Sequence, residues 1–90
     1  MSGPYDVDLS HAARRALQLE LPEAVAAAVI EFILGPLREN PYRVGKPLRE
    51  PMTSLFAARR GDYRVIYEIH DRRLVIVVVS ITHRRDAYRR

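Results

Sequence analysis

The 90-residue chain predicts a small α+β domain. The expected order is β-α-α-β-β-β, with a helical hairpin packed on a mainly antiparallel, twisted sheet and one domain spanning residues 1–90. Three observations predict it. A short alternating segment at the start is followed by two stretches of helical period. A Pro/Gly-rich passage then separates these from the second half. That half consists of alternating or continuous apolar runs rich in Val, Ile and Tyr, broken by short turn signals. A chain of this length forms one core that buries roughly 60–65% of its unfolded surface.

Each element has its own justification. Tyr5-Asp6-Val7-Asp8-Leu9 alternates apolar and polar, so Tyr5, Val7 and Leu9 point inward from a strand. Ser10 is a good N-cap, and the Ala-, Leu- and Arg-rich run after it predicts a helix over about 11–20. Pro22 suits the first turn of a second helix and Glu23 suits its positive end. Val25, Val29 and Phe32 form the apolar stripe, widened by Ala28 and Ile33, and Gly35-Pro36 should end or kink this helix. Residues 40–54, NPYRVGKPLREPMTS, hold three prolines and a glycine and predict a crossing loop or irregular strand rather than a helix. A meander follows: Leu55 to Arg59, a tight connection at Arg60-Gly61-Asp62, Tyr63 to His70, a turn at Asp71-Arg72, and Leu74 to Thr82. The last strand is apolar on both faces and belongs at the sheet centre or beside Tyr5–Leu9.

Composition narrows the classes of function. There is no Cys, which removes disulfides and thiolate zinc sites and fits a cytoplasmic protein. The start, MSGPYDVDL, lacks a basic segment followed by an apolar one, so no secretory signal is expected. The longest apolar run, Leu74 to Val79, is far below the roughly 20 residues that span a bilayer. Charge is uneven. Residues 1–58 carry six Lys/Arg and seven Asp/Glu, whereas residues 59–90 carry nine Arg and four Asp/Glu. Lys46 is the only Lys. Arg forks onto phosphate and stacks on bases, so this tail half suits nucleic acid; a solvated surface rich in Arg through genomic GC bias is the plain alternative.

A two-residue turn at Asp71-Arg72 would set Arg64 opposite Val79 and Tyr63 opposite Ser80. The open end of the hairpin would then collect Arg59, Arg60 and Arg64 with His83, Arg84 and Arg85, near Tyr88. The helices should cover the face of Val65 and Tyr67, leaving Arg64 on the opposite, open face. Lys46, Arg43 and Arg49 lie on the preceding loop. Cleaving RNA requires a base for the 2′-OH, an acid for the leaving 5′-oxygen, and cations for the charge on the pentavalent phosphate. His83, with an ordinary pKa near ~6.5, suits proton transfer. Tyr88 could serve as an acid, or as a base if surrounding Arg lowered its pKa from ~10. Tyr88 or Tyr63 could stack on a base. Structural roles stand beside these: Arg64 as a partner for Glu68, His83 as a strand-end residue, Tyr88 as an anchor for the tail. His70 and His11 read as surface residues. No grouping of His and carboxylates has metal-ligand spacing, and no phosphate loop, nucleophile elbow or dinucleotide fingerprint is present.

The stretch RVGKPLRE…LFAARRGDYRVIYEIHDRRLVIVVVSITHRRDAYRR resembles the RelE/ParE superfamily of bacterial type II toxins, and within it the RelE branch. GDYRVIYEI followed by HRRDAYR carries the resemblance over residues 40–90; GKPLR adds support. The resemblance implies the RelE-like microdomain fold and a ribosome-dependent mRNA interferase that cuts the A-site codon by 2′-OH attack, with no metal or small-molecule cofactor. It implies a cognate antitoxin as partner, along with the ribosome, mRNA and rRNA, and no membrane. Carried onto this chain, it makes Arg64 the arginine that stabilises the transition-state phosphate, Arg84 a second catalytic arginine and Tyr88 the tyrosine that stacks on and activates the nucleotide. Arg59 matches a basic residue before the G-x-Y-R turn, with Arg60, Arg85 and Lys46 as further RNA-binding residues. His83 falls where members have Lys or His. Many members carry Lys or Arg on the strand before GDYR, where this chain has Leu55 and Ala57; His83 is therefore expected to take over proton transfer. ParE-like members are instead non-enzymatic inhibitors of DNA gyrase on the same fold. An exposed strand edge near Leu55–Arg59 would be a natural place for a partner.

Overall fold

The computed structural model describes residues 5–48 and 54–83. β1 (Asp6–Leu9) leads into α1 (His11–Arg15), capped as expected: the Ser10 hydroxyl oxygen accepts a hydrogen bond from the Ala13 N–H at 3.0 Å. α1 widens into a π-helical turn at Ala16–Glu20, and α2 (Glu23–Phe32) follows. Gly35-Pro36 does not end this second helix. The helix widens at Ile33–Leu37 into i→i+5 geometry that tolerates the missing Pro36 N–H, and the Pro36 carbonyl still accepts from Asn40. A second correction concerns the proline-rich passage. Pro41–Val44 forms a one-turn helix, α3, with Pro41 at its first position, where a missing N–H costs nothing. β2 (Lys46–Pro47) follows.

The remaining strands are β3 (Leu55–Arg60), β4 (Tyr63–His70) and β5 (Val75–His83). The sheet order is β1-β5-β4-β3-β2, antiparallel except for the β1–β5 pair. β5 is thus an inner strand beside β1, which its apolar character on both faces requires. Gly61, at φ +55°, makes the tight β3–β4 turn. The β4–β5 connection is longer than the two-residue turn expected. It spans residues 71–74, is closed by Leu74 N–H donating to the Asp71 carbonyl at 3.2 Å, and holds Leu74 at φ +53°. β2 covers β3 at Phe56 and Ala57, so only part of the expected open edge is left unpaired.

The helices supply Ala13, Ala16, Val29, Phe32, Ile33 and Leu37 to a core completed from the sheet by Ala58, Val65, Tyr67, Ile76, Val78 and Ile81. The stripe of α2 is rotated from expectation: Ala26 is buried and Ala28 exposed. Tyr67 is fully buried and its hydroxyl donates to the Pro41 carbonyl at 2.7 Å. Gly45 is required beside it, because a Cβ there would collide with that hydroxyl and lie 2.9 Å from the Ala57 carbonyl oxygen.

The register of β4 against β5 sets the geometry of the site. Tyr67 pairs with Val78 but Ile66 pairs with Ser80, so Val79 is an extra, bulged residue. The Ser10 hydroxyl donates to the Val79 carbonyl at 2.6 Å, and the Ser10 N–H donates to the Val78 carbonyl at 2.9 Å. The helix cap and the bulge therefore share one side chain.

Candidate functional site

Arg64 pairs with Thr82 rather than Val79, and Tyr63 with His83 rather than Ser80. The longer loop moves the register by two residues and the bulge by one more. Directly paired residues share a face, so the strand tips carry two separate rows. Arg59, Arg64 and Thr82 lie on the open face, away from the helices, and all three are exposed. Lys46, on the edge strand, pairs with Ala57, two residues from Arg59 along β3, and so belongs to the same face. Ala57 and Ile66 form its half-buried apolar floor. A cation missing from position 57 itself is thus present on the neighbouring strand.

Arg64 is not held by Glu68. That carboxylate is 3.0 Å from His70 Nε2, and among the described residues Arg64 forms no ion pair. Among the described residues no carboxylate holds its guanidinium fork, whose geometry suits an external anion.

Arg60, Tyr63 and His83 make up the second row, on the helix face. The Arg60 guanidinium sits 4.7 Å from the centre of the Phe32 ring, which packs edge-on against Tyr63 at 6.4 Å. The Tyr63 hydroxyl donates to the Ala28 carbonyl at 3.4 Å. Burial raises the Tyr63 pKa above its ordinary value, with Arg60 pulling the other way. His83 is 9% exposed and, with Tyr63, Asp62, Ala24, Val25 and Ala28, lines a cleft of about 250 Å³ between α2 and the strand tips. The bulge is the reason: Ile76 and Val78 face the helices, and the extra residue makes Ile81 and His83 do so as well. His83 and Arg64 therefore come to the same end of the sheet on opposite faces. Arg84, Arg85 and Tyr88 lie outside the described residues.

One constellation had no signature in the sequence. At the far end of the sheet the Asp71 carboxylate accepts hydrogen bonds from the hydroxyls of Tyr5, at 2.8 Å, and Tyr42. The partners are 66 and 29 positions away, beyond any local pattern. These bonds hold the Asp71 carboxyl below the usual carboxylate range and push the Tyr42 hydroxyl up to about 12. Among the described residues no three His, Cys, Asp or Glu side chains group to hold a metal ion, and no helix is long and apolar enough to cross a membrane.

The family described as "ParE toxin of type II toxin-antitoxin system, parDE" matches residues 7–88. Toxin RelE of Mycobacterium tuberculosis is 49% identical over 86 residues, covering 96% of this chain and 88% of that protein. Toxin RelG of the same organism is 47% identical over 87 residues, covering 97% and 99%. The toxin–antitoxin complex RelBE2 of M. tuberculosis contains a chain that superposes with a TM-score of 0.88 at 44% identity, covering 93% of this chain and 95% of that one. The family match, the two relatives and the superposed structure each span nine-tenths or more of the chain and agree on one kind of protein. The chain belongs to the RelE/ParE family of toxins of type II toxin–antitoxin systems.

Proposed function

We propose that this toxin is an endoribonuclease that cuts mRNA in the ribosomal A site by attack of a 2′-OH on the adjacent phosphate, and so arrests translation. The observation that carries this reading is the open-face row: Arg64 exposed and free of Glu68, with Arg59 directly opposite and Lys46 on the neighbouring strand. Arg64 and Arg59 take the non-bridging oxygens and offset the charge that grows at the pentavalent phosphate. Lys46 holds the flanking backbone. Arg84, the residue after β5 in sequence, and Tyr88, four positions further, supply a second guanidinium and a stacking ring. His83 transfers a proton only if the nucleotide bends around the tip of β5, since its ring starts from the helix face. The proposed chemistry calls on no metal and no cofactor.

The related M. tuberculosis complex is a toxin bound to its antitoxin, and we assign this chain a cognate antitoxin that masks the same open face. Its apolar floor with a basic rim fits an amphipathic acidic segment. A second reading has one observation in its favour, the ParE description of the matching family: a gyrase inhibitor that cleaves nothing.

Induced expression in a bacterial host separates the two. Wild type should arrest growth and leave in-frame cuts within translated codons of a reporter mRNA. Arg64→Ala should lower cutting by roughly 10²–10³-fold. Arrest with intact mRNA and induced DNA damage would establish the gyrase reading instead. His83→Gln tests the proton-transfer role, and undiminished cutting would assign that role to another group.

A further inference from the structure

The end of the sheet opposite Arg64 carries a second basic surface of unusual construction. Residues 71–74, all exposed, form the β4–β5 loop and present Arg72 and Arg73 at its tip. The loop is fixed in shape by the Leu74-to-Asp71 hydrogen bond, by Leu74 in the left-handed region, and by the clamp of Tyr5 and Tyr42 on Asp71. The clamp has an electrostatic consequence. The carboxylate adjacent in sequence to the two arginines is occupied by tyrosyl hydroxyls, and among the described residues Arg72, Arg73 and Arg43 make no ion pair. Arg43 is exposed on α3 next to Tyr42, itself half-exposed with its ring edge-on to Phe56 at 5.6 Å. Arg38 is committed to the fold, its Nε donating to the Tyr5 carbonyl at 3.0 Å. Among the described residues the acidic groups of this end besides Asp71 are Asp6, whose N–H donates to the Leu74 carbonyl, Glu39 beside Arg38 in sequence, and Glu68, whose carboxylate is taken up by His70 Nε2 at 3.0 Å.

Exposed arginines without an ion pair among the described residues, beside a half-exposed aromatic ring, suit the sugar–phosphate backbone of folded RNA. This surface cannot serve the phosphate held by Arg64. β4 runs the eight residues from Tyr63 to His70 between the two ends, about 24 Å at ~3.4 Å per step. We propose that Arg72 and Arg73, with Arg43 and Tyr42, form a docking site for structured RNA of the ribosome, separate from the site of cleavage. The inference rests on the proposed ribosome-dependent activity and names the surface that anchors the toxin while Arg64 meets the mRNA.

The test uses purified full-length Arg64→Ala toxin and ribosomes programmed with mRNA, with affinity measured over a range of salt. Arg72→Ala/Arg73→Ala in the same background should bind roughly tenfold more weakly at about 0.1 M salt, with the salt slope shallower by about one to two. Arg72→Lys/Arg73→Lys should recover most of the affinity. Arg43→Gln, on a different element, should flatten the slope by about one. In the active toxin the Ala pair should raise KM for programmed ribosomes and leave kcat unchanged. Unaltered affinity and slope in the Ala pair, with the parent still binding, would overturn the inference and leave the proposed activity standing. Loss of antitoxin affinity alone would also overturn it, making this a protein-binding surface. No binding by the parent would remove the proposed function, and this inference with it.

Discussion

Tyr67 shows how much one side chain can fix. Its ring is buried against Phe56, stacked at 5.7 Å, and its hydroxyl holds the Pro41 carbonyl in a place where Gly45 leaves just enough room. It thereby ties α3 and the approach to Lys46 onto the centre of the sheet. Burial pushes its pKa up to about 12, against about 10 in the unfolded chain. The folded state therefore keeps a proton that the unfolded state releases. The corresponding stability is complete below pH ~10 and is lost as pH rises towards 12. Tyr67→Phe should cost about 1–2 kcal/mol at neutral pH, through the carbonyl left without a partner, and should flatten the alkaline decline. Urea melts between pH 7 and 11 would check this; parallel pH profiles for the two proteins would contradict it. Tyr42, also at about 12 because of Asp71, accounts for part of the slope that is left.

The elements explain what the sequence made legible. The Ser10 cap, the boundaries of β4 and the turn at Gly61 follow from local chemistry, and each occurs where the residues place it. The strand β5 is different. An apolar run on both faces carries no phase, so neither the four-residue loop before it nor the bulge at Val79 could be read from its pattern. The clustering of Arg59, Arg60 and Arg64 at the strand tips was legible, but their pairing was not: β3 runs on to Arg60 instead of ending at Arg59, and the resulting two-residue turn at Gly61-Asp62 sets Arg59 opposite Arg64. The face taken by His83 depends on a bulge whose carbonyl is held by Ser10, 69 positions away in sequence. Likewise the i→i+5 turn around Pro36 is a tertiary accommodation that a local rule for proline reads as a stop. Ser10→Ala removes both the helix cap and the bond to Val79, so it should destabilise the protein by about 1–2 kcal/mol. Hydrogen exchange should show the extra opening concentrated in α1 and the β5 bulge. Uniform loss of protection across all strands would argue against a local latch.

At the scale of the molecule, the sheet separates two jobs. One face is sealed by the helices and carries the core, together with the cleft beside His83. The other is open, with an apolar centre and cations at its edge and tips, and it suits a phosphate chain and an antitoxin in turn. This division makes Arg64 the residue on which the functional account depends. The most direct measurement is the single-turnover rate of mRNA cleavage on programmed ribosomes for wild type and Arg64→Ala, with the cut ends mapped. Cleavage as proposed gives cuts in the A-site codon that leave a 5′-OH on the downstream fragment, and a rate roughly 10²–10³-fold lower without Arg64. Equal rates for the two proteins, or no cleavage by wild type under conditions where it binds the ribosome, would contradict it.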